Sequence, residues 1–479
     1  MLPDKPIDLT EGNLLRNLIK LSIPIVLSNL LQMIYNVVDI FWLGKLGENA
    51  KGAVSVAGMS FPIVFFFLAI GIGLTTAGTA LISQYKGSGQ PEKLRHVVGQ
   101  FTNILVIFFF IIILVNYNFS KNILRLLNTP SSIFTDANSY FSIILYAMPF
   151  MIIFKAFQSF ARGLGDTITP LKIQAVAIGI NVVVDPLLIF GVGFFPKLGV
   201  TGAAIATFSA RAMAGILSIV MVLRKFKILM PRIENIKPDF SMLKKILNIS
   251  LPASLGMSMT SLGFIILQGF VNTFGTLVIS AFSIGKRLMS IFMIPSMGFS
   301  KALEAIVGQN LGARNAKRAE ESLWLTLKVV AVIMLVGGSI IFFFGGQLTQ
   351  IFIKDQQVFI LGQRMTKVIA VAAFVFSMVF VIFGVFNGSG HTKFVMFFNI
   401  ARLWLFRLPF VFILSGEVLA LDIFRTGIFK TIFTTLAKPL AEHPYDAVWW
   451  AMLFSNVLVL IIAFISFKSG KWKKAKIYD

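Results

Sequence analysis

Asp39 and Asp185 are the two residues of this chain whose type and setting point to chemistry, because each places a carboxylate inside an apolar run of membrane-spanning length. An ionisable group at the centre of such a run costs roughly 2.5 to 3.5 kcal/mol, so it faces a cavity or a partner and marks an ion path. Asn29, Gln32, Asn36 and Asp39 follow at spacings of three, four and three, which stacks them on one helical face and predicts a wet stripe against a water-filled cavity. Gln174, Asn181 and Asp185 follow at spacings of seven and four, again one face, with Pro186 next. That proline removes the hydrogen bond to the Val182 carbonyl and is expected to bend the helix. Each acid lies about four to seven residues from the same end of its run, so at ~1.5 Å rise per residue the two sit at similar depth. Two carboxylates sharing a poorly solvated cavity resist being charged together, which makes the pair a candidate proton carrier. The alternative is a structural pair satisfied by Asn, Tyr or a basic neighbour.

Such faces need a scaffold of buried helices, and the composition supplies it. The 479 residues are 57% hydrophobic and 13% charged, with 50 Phe, which excludes a soluble multidomain protein and indicates a polytopic membrane protein. Twelve windows have helix-spanning length: 17 to 43, 53 to 82, 96 to 117, 133 to 160, 168 to 192, 200 to 223, 246 to 272, 277 to 300, 322 to 344, 365 to 386, 394 to 415 and 447 to 467. With both tails on one side, 25 of the 43 Lys and Arg fall in the tails and even-numbered connections, 11 opposite and 7 within spans. The positive-inside rule then predicts a multi-pass protein of the inner (cytoplasmic) membrane with both termini in the cytoplasm. The net charge of +23, including the tail lysines Lys471, Lys473, Lys474 and Lys476, is expected to meet anionic membrane lipid and not nucleic acid. The chain has no Cys, so disulfides and thiolate metal sites are excluded. The amino end lacks a small-residue cleavage site, and the first span is expected to be retained.

The chain is also duplicated. Gln84-Tyr85-Lys86-Gly87 is echoed by Gln309-Asn310-Leu311-Gly312, and Gly163-Leu164-Gly165-Asp166-Thr167 by Gly388-Ser389-Gly390-His391-Thr392, at one shared offset. Pro24 and Pro252 open spans one and seven in matching contexts. The predicted fold is therefore all-α, twelve transmembrane helices in two pseudo-symmetric six-helix lobes. The amino lobe is 1–223, a cytoplasmic linker 224–245, the carboxyl lobe 246–467 with an external insertion at 416–446, and a basic tail 468–479. Two such lobes suggest a transporter whose substrate sits between them and whose lobes rock for alternating access. The Gly-x-Gly-x-Thr turns are expected to need positive φ. In the insertion, Phe424, Ile428, Ile432 and Leu436 repeat every four residues opposite polar positions, which predicts an amphipathic helix on the outer surface.

The whole chain resembles the multidrug and toxic compound extrusion (MATE) family, and its amino half resembles the DinF-like branch. The resemblance rests on Tyr35-Asn36-x-x-Asp39, Asn181-x-x-x-Asp185-Pro186 and Gly202-Ala203-Ala204-x-Ala206-Thr207, with Tyr140 at a further network position. It implies a V-shaped transporter in which Asp39, Asp185, Asn181, Tyr140 and Thr207 form one hydrogen-bonded cation-coupling cluster. Its protonation would bend span one and release substrate. Spans seven and ten contain no Asp or Glu, unlike the sodium-coupled norfloxacin-type exporters.

Gln32, Tyr35, Asn36, Lys155, Gln158, Gln174, Arg287 and Arg402 are the candidate lining of the substrate cavity. Lys155 stands where the branch has a neutral amide, and Arg211, Lys286 and Arg407 are further buried or half-buried cations, for which snorkelling to an interface or pairing with a lobe acid is the alternative to a place in the cavity. Together these cations argue against an organic cation as substrate. His96, His391 and His443 fall in or beside loops and are expected at the surface. The expected activity is a secondary active antiporter exporting amphiphilic drugs or toxic compounds. Protons would be the coupling ion, with sodium as the alternative. No cofactor and no metal are expected, and the chain is expected to act as a monomer. A flippase of lipid-linked precursors is the competing reading. An intramembrane enzyme has no convergent His-carboxylate set in the spans to support it.

Overall fold

The computed structural model describes residues 7–46, 50–126, 129–416, 434–435, 438–440 and 442–478. Among these, twelve helices are long and apolar enough to cross a membrane, and no strand occurs. They are α1 (Leu14–Gly44), α2 (Ala50–Gly87), α3 (Pro91–Leu126), α4 (Phe134–Leu164), α5 (Ile168–Phe190), α6 (Gly199–Arg224), α7 (Phe240–Asn272), α8 (Thr276–Gly312), α9 (Ala316–Gln350), α10 (Gln356–Gly388), α11 (Thr392–Leu414) and α12 (Ala447–Lys468). Several extend past the apolar windows because polar caps carry the helix outward. Asn13 accepts the Arg16 N–H at 3.0 Å to start α1, and Asp355 accepts from Gln357 and Val358 to start α10. Asp239 accepts from Ser241 at 2.9 Å, so α7 begins at Phe240, inside the stretch read as linker. The helix α5 continues through Pro186 to Phe190. The expected amphipathic helix at Phe424 to Leu436 lies, save for Thr434 and Thr435, outside the described residues.

The chain divides into two compact units. The first holds Met1–Ser254, Gly308–Ala316 and Ala475–Asp479; the second holds Leu255–Val307 and Lys317–Lys474.

In the first unit α4 is the central helix, with Phe141, Leu145, Met148, Ile152 and Phe157 buried against its neighbours. Small residues let the others close on it. A Cβ at Gly163 would lie 2.9 Å from Ile82, and one at Gly215 would lie 3.0 Å from the Phe150 carbonyl. The first glycine of the Gly-x-Gly-x-Thr motif therefore serves helix packing, and only the second, Gly165 at φ 93°, needs the left-handed region. Asp166 then caps α5 by accepting from Ile168 at 3.0 Å and Thr169 at 2.9 Å. It also holds Lys225, from the end of α6, at 2.9 Å.

The connection between α6 and α7 is clasped to α3. Gln100 donates to the carbonyls of Asn235 and Lys237, both at 2.8 Å, and accepts the Asp239 N–H at 3.0 Å. Asn103 donates to Ile236 at 2.8 Å, and His96 pairs with Asp239 at 2.8 Å. His96 is thus half-buried against Asp239, where the sequence suggests a surface residue.

In the second unit α10 and α12 form the core, with Trp449 fully buried against Phe282. The helix α11 carries a π-helical stretch, Ala401–Arg407, bounded by two buried arginines.

Candidate functional site

The first unit contains a cavity of about 730 Å³ built from α1, α2, α4, α5 and α6. From α1, Gln32, Tyr35, Asn36 and Asp39 line it, so three members of the predicted polar stripe face one space and Asn29 does not. Tyr140, Lys155 and Phe154 come from α4, Gln174 from α5, and Thr207 and Arg211 from α6. Apolar walls are supplied by Leu68, Ile144, Met151 and small residues at Ala177, Ala210 and Ala214.

Local helical spacing places these groups, and tertiary contacts join them. The Tyr35 hydroxyl and Thr207 Oγ1 are 3.0 Å apart, which ties α1 to α6 at mid-cavity. Gln174 donates to the Ser28 carbonyl at 3.0 Å and to Gln32 Oε1 at 3.4 Å, and Gln32 donates in turn to Asn36 Oδ1 at 3.3 Å. The two acids differ in setting. Asp39 is half-buried and faces the cavity, with Oδ1 buried and unpartnered. Asp185 is wholly buried behind the wall; Asn181 donates to its Oδ1 at 3.2 Å while Oδ2 has no partner. A buried oxygen left without a hydrogen bond costs about 1 to 3 kcal/mol, more if charged. The acids act on each other electrostatically, and both act on Tyr35 and Tyr140.

Arg211 is the residue the site reading missed. The sequence marks it as a buried or half-buried cation and not as cavity lining, yet it lines the cavity, and its Nη1 is buried without a hydrogen-bond partner among the described residues. Its charge reaches Asp39, Tyr35, Tyr140 and Lys155. The signal was present in the spacing, since Arg211 follows Thr207 by four residues on one face of α6. Lys155 enters the cavity as expected and donates a long bond, 3.4 Å, to Gln158, which stands beside the cavity and does not line it. Arg287 and Arg402 belong to the second unit and do not line this cavity, contrary to the sequence reading. Arg287 is exposed. Arg402 is buried with its guanidinium 4.0 Å from the centre of the Phe376 ring, and Arg407 is held by Ser455 at 3.1 Å and Asn456 at 2.9 Å. Both arginines lie within the π-helical stretch, Ala401–Arg407.

The MatE family profile matches residues 24–187 and 252–413, starting at Pro24 and again at Pro252. The chain belongs to the MatE family. The double match covers both halves of the duplication, and relatives match over most of their length. The chain is 29% identical over 402 residues to a probable multidrug resistance protein, YoeA, of Bacillus subtilis, covering 82% of this chain and 85% of the relative. It is 26% identical over 462 residues to the probable multidrug resistance protein NorM of Thermotoga maritima, covering 96% and 93%. It is 27% identical to an FAD transporter of Shewanella oneidensis over 343 residues, 72% of this chain and 75% of that one. Among solved structures it matches the outward-facing conformation of a multidrug resistance MATE family transporter with a TM-score of 0.83 at 20% identity, over 97% of each chain. The fold is thus that of MATE transporters, and the chain is a multi-pass membrane protein of a multidrug efflux family, not an enzyme.

Proposed function

We propose that the chain is a secondary active antiporter that exports small amphiphiles across the cytoplasmic membrane, coupled to inward proton flow. The observation that carries this is the pair of carboxylates in one unit, each with an unpartnered buried oxygen, one open to the cavity and one sealed behind it. A carboxylate that is costly to leave charged and unpaired is stabilised by a proton or by a cationic ligand, and the two compete. Asp39, Asp185, Asn181, Tyr140 and Thr207 form the coupling cluster in this reading, with Gln32, Tyr35, Asn36, Lys155 and Gln174 as substrate contacts and Gln158 holding Lys155 from beside the cavity. The placement of both acids in the amino half supports the DinF-like branch and protons over sodium. The cavity volume of about 730 Å³ suits a drug-sized molecule better than a lipid-linked oligosaccharide. The basic excess on one side supports cytoplasmic termini.

Proteoliposomes with an imposed pH or sodium gradient test the reading. Efflux of a dye panel should follow the pH gradient and collapse with a protonophore. Movement driven by sodium alone, or exchange of a labelled lipid with no dye transported, would overturn it.

A further inference from the structure

The charges of the cavity are ordered along the bundle. The helix α1 runs alongside α5, because Trp42 meets Phe190 with ring centres 6.0 Å apart near their ends while Gln174 meets Ser28 and Gln32 nearer their starts. The helix α6 runs the other way, since its end brings Lys225 to Asp166 and Thr169 at the start of α5. The Tyr35–Thr207 contact fixes one common level. Asp39 lies four residues beyond Tyr35 toward the Phe190 end, and Arg211 lies four residues beyond Thr207 toward the Lys225 end. At ~1.5 Å per residue their Cα atoms are about 12 Å apart along the axis. The helix α4 runs with α6, with Phe150 against Gly215 and Phe157 against Phe226, so Lys155 sits further still toward the Lys225 end. Among the described residues neither Asp39 nor Arg211 enters an ion pair, and each has a buried polar atom without a hydrogen-bond partner there. The acid-bearing position Asp39 therefore lies toward one end of the cavity and the cation-bearing positions Arg211 and Lys155 toward the other, with the neutral side chains of Tyr35, Tyr140 and Thr207 rooted between them.

We propose that this cavity selects zwitterionic amphiphiles, with Asp39 taking the cationic group and Arg211 with Lys155 taking a carboxylate or phosphate. The inference rests on the export reading above for its direction of transport, and on geometry alone for its selectivity. A purely cationic ligand must sit within reach of two basic side chains, and a purely anionic one faces Asp39; a ligand carrying both satisfies each end. Proton competition at the Asp39 end then loosens the ammonium while the anion remains held, so the two ends divide the labour of coupling and specificity.

Rhodamine 110 and rhodamine 123 differ by one methyl ester, which converts the zwitterion into a cation. Their equilibrium binding to purified protein in nanodiscs, read by fluorescence anisotropy, needs no ion gradient and so separates this inference from the coupling mechanism. The free acid should bind about tenfold or more tightly than the ester, equivalent to one well-formed charged contact. R211Q should weaken the free acid and strengthen the ester, bringing the ratio near one, and R211K should restore it. K155Q, at a half-buried side chain with one long hydrogen bond, gives a second variant that should reduce the ratio if R211Q does not fold. An ester that binds as tightly as the acid in the unmodified protein, or a ratio unmoved by both R211Q and K155Q, would overturn the proposal. A preserved ratio in a protein that ignores the pH gradient would overturn the coupling reading instead.

Discussion

At the residue scale the site depends on which oxygens lack partners. Asp39→Asn and Asp185→Asn should each abolish gradient-driven export while leaving the protein folded, because an amide fills nearly the same volume and cannot cycle a proton. The double variant should be little worse than either single one, since groups acting as a unit are not additive. Transport in proteoliposomes, with folding checked by gel filtration, measures this; near-normal proton-driven transport by either variant would remove that residue from the coupling site. Asn181 contributes differently, as a donor to Asp185 inside a sealed wall. Asn181→Ala should leave a second Asp185 oxygen unpartnered and lower stability by about 1 to 3 kcal/mol, visible as a fall in apparent melting temperature.

At the element scale the helices are spaced by residues without side chains. A Cβ at Gly202 would lie 2.5 Å from the Leu188 carbonyl oxygen, so α5 and α6 could not keep their separation. Gly202→Ala should cost about 1 to 3 kcal/mol and lower the apparent melting temperature by several degrees. Gly179→Ala, on α5 with nothing within 4 Å of the added carbon, should be neutral or slightly stabilising. Equal effects of the two would show that the close contact does not set the packing.

The clasp on α3 gives a pH prediction. The hydrogen bond from His96, followed by the backbone N–H groups of Met242 and Ser241, holds the Asp239 carboxyl below its ordinary range. A depressed folded value means the contribution is fully present above the unfolded value of about 3.9 and is lost as pH falls through the folded value. Amide-exchange protection over 235–242, corrected for intrinsic rates, should therefore persist on mild acidification and drop only below about pH 4. In Asp239→Asn it should already be reduced at neutral pH, without that acid limb.

At the scale of the whole molecule, sidedness can be tested directly, because the chain has no cysteine to remove. A cysteine at Asn235, in the clasped connection, should resist a membrane-impermeant maleimide in intact cells. One at Phe194, 90% exposed between α5 and α6 at the opposite end of the first unit, should react quickly. Rapid labelling at Asn235 would reverse the assigned orientation.

The twelve spans, the duplication and the family are legible along the chain, because each is written in one dimension: apolar length, a repeated offset, and motifs of short spacing. Helical periodicity also puts Gln32, Asn36 and Asp39 on one face, and in the structure that face lines a cavity together with Tyr35 and Gln174. Which faces meet depends on packing between helices. It brought Arg211 opposite Asp39 across the Tyr35–Thr207 contact, sealed Asp185 behind the wall, and put Arg287 and Arg402 in the other unit. Periodicity fixes rotation about a helix axis but not the pairing, direction or depth of one helix against another. Those follow from close contacts such as Gly202 on Leu188 and Gly163 on Ile82, which depend on residues far apart in the chain.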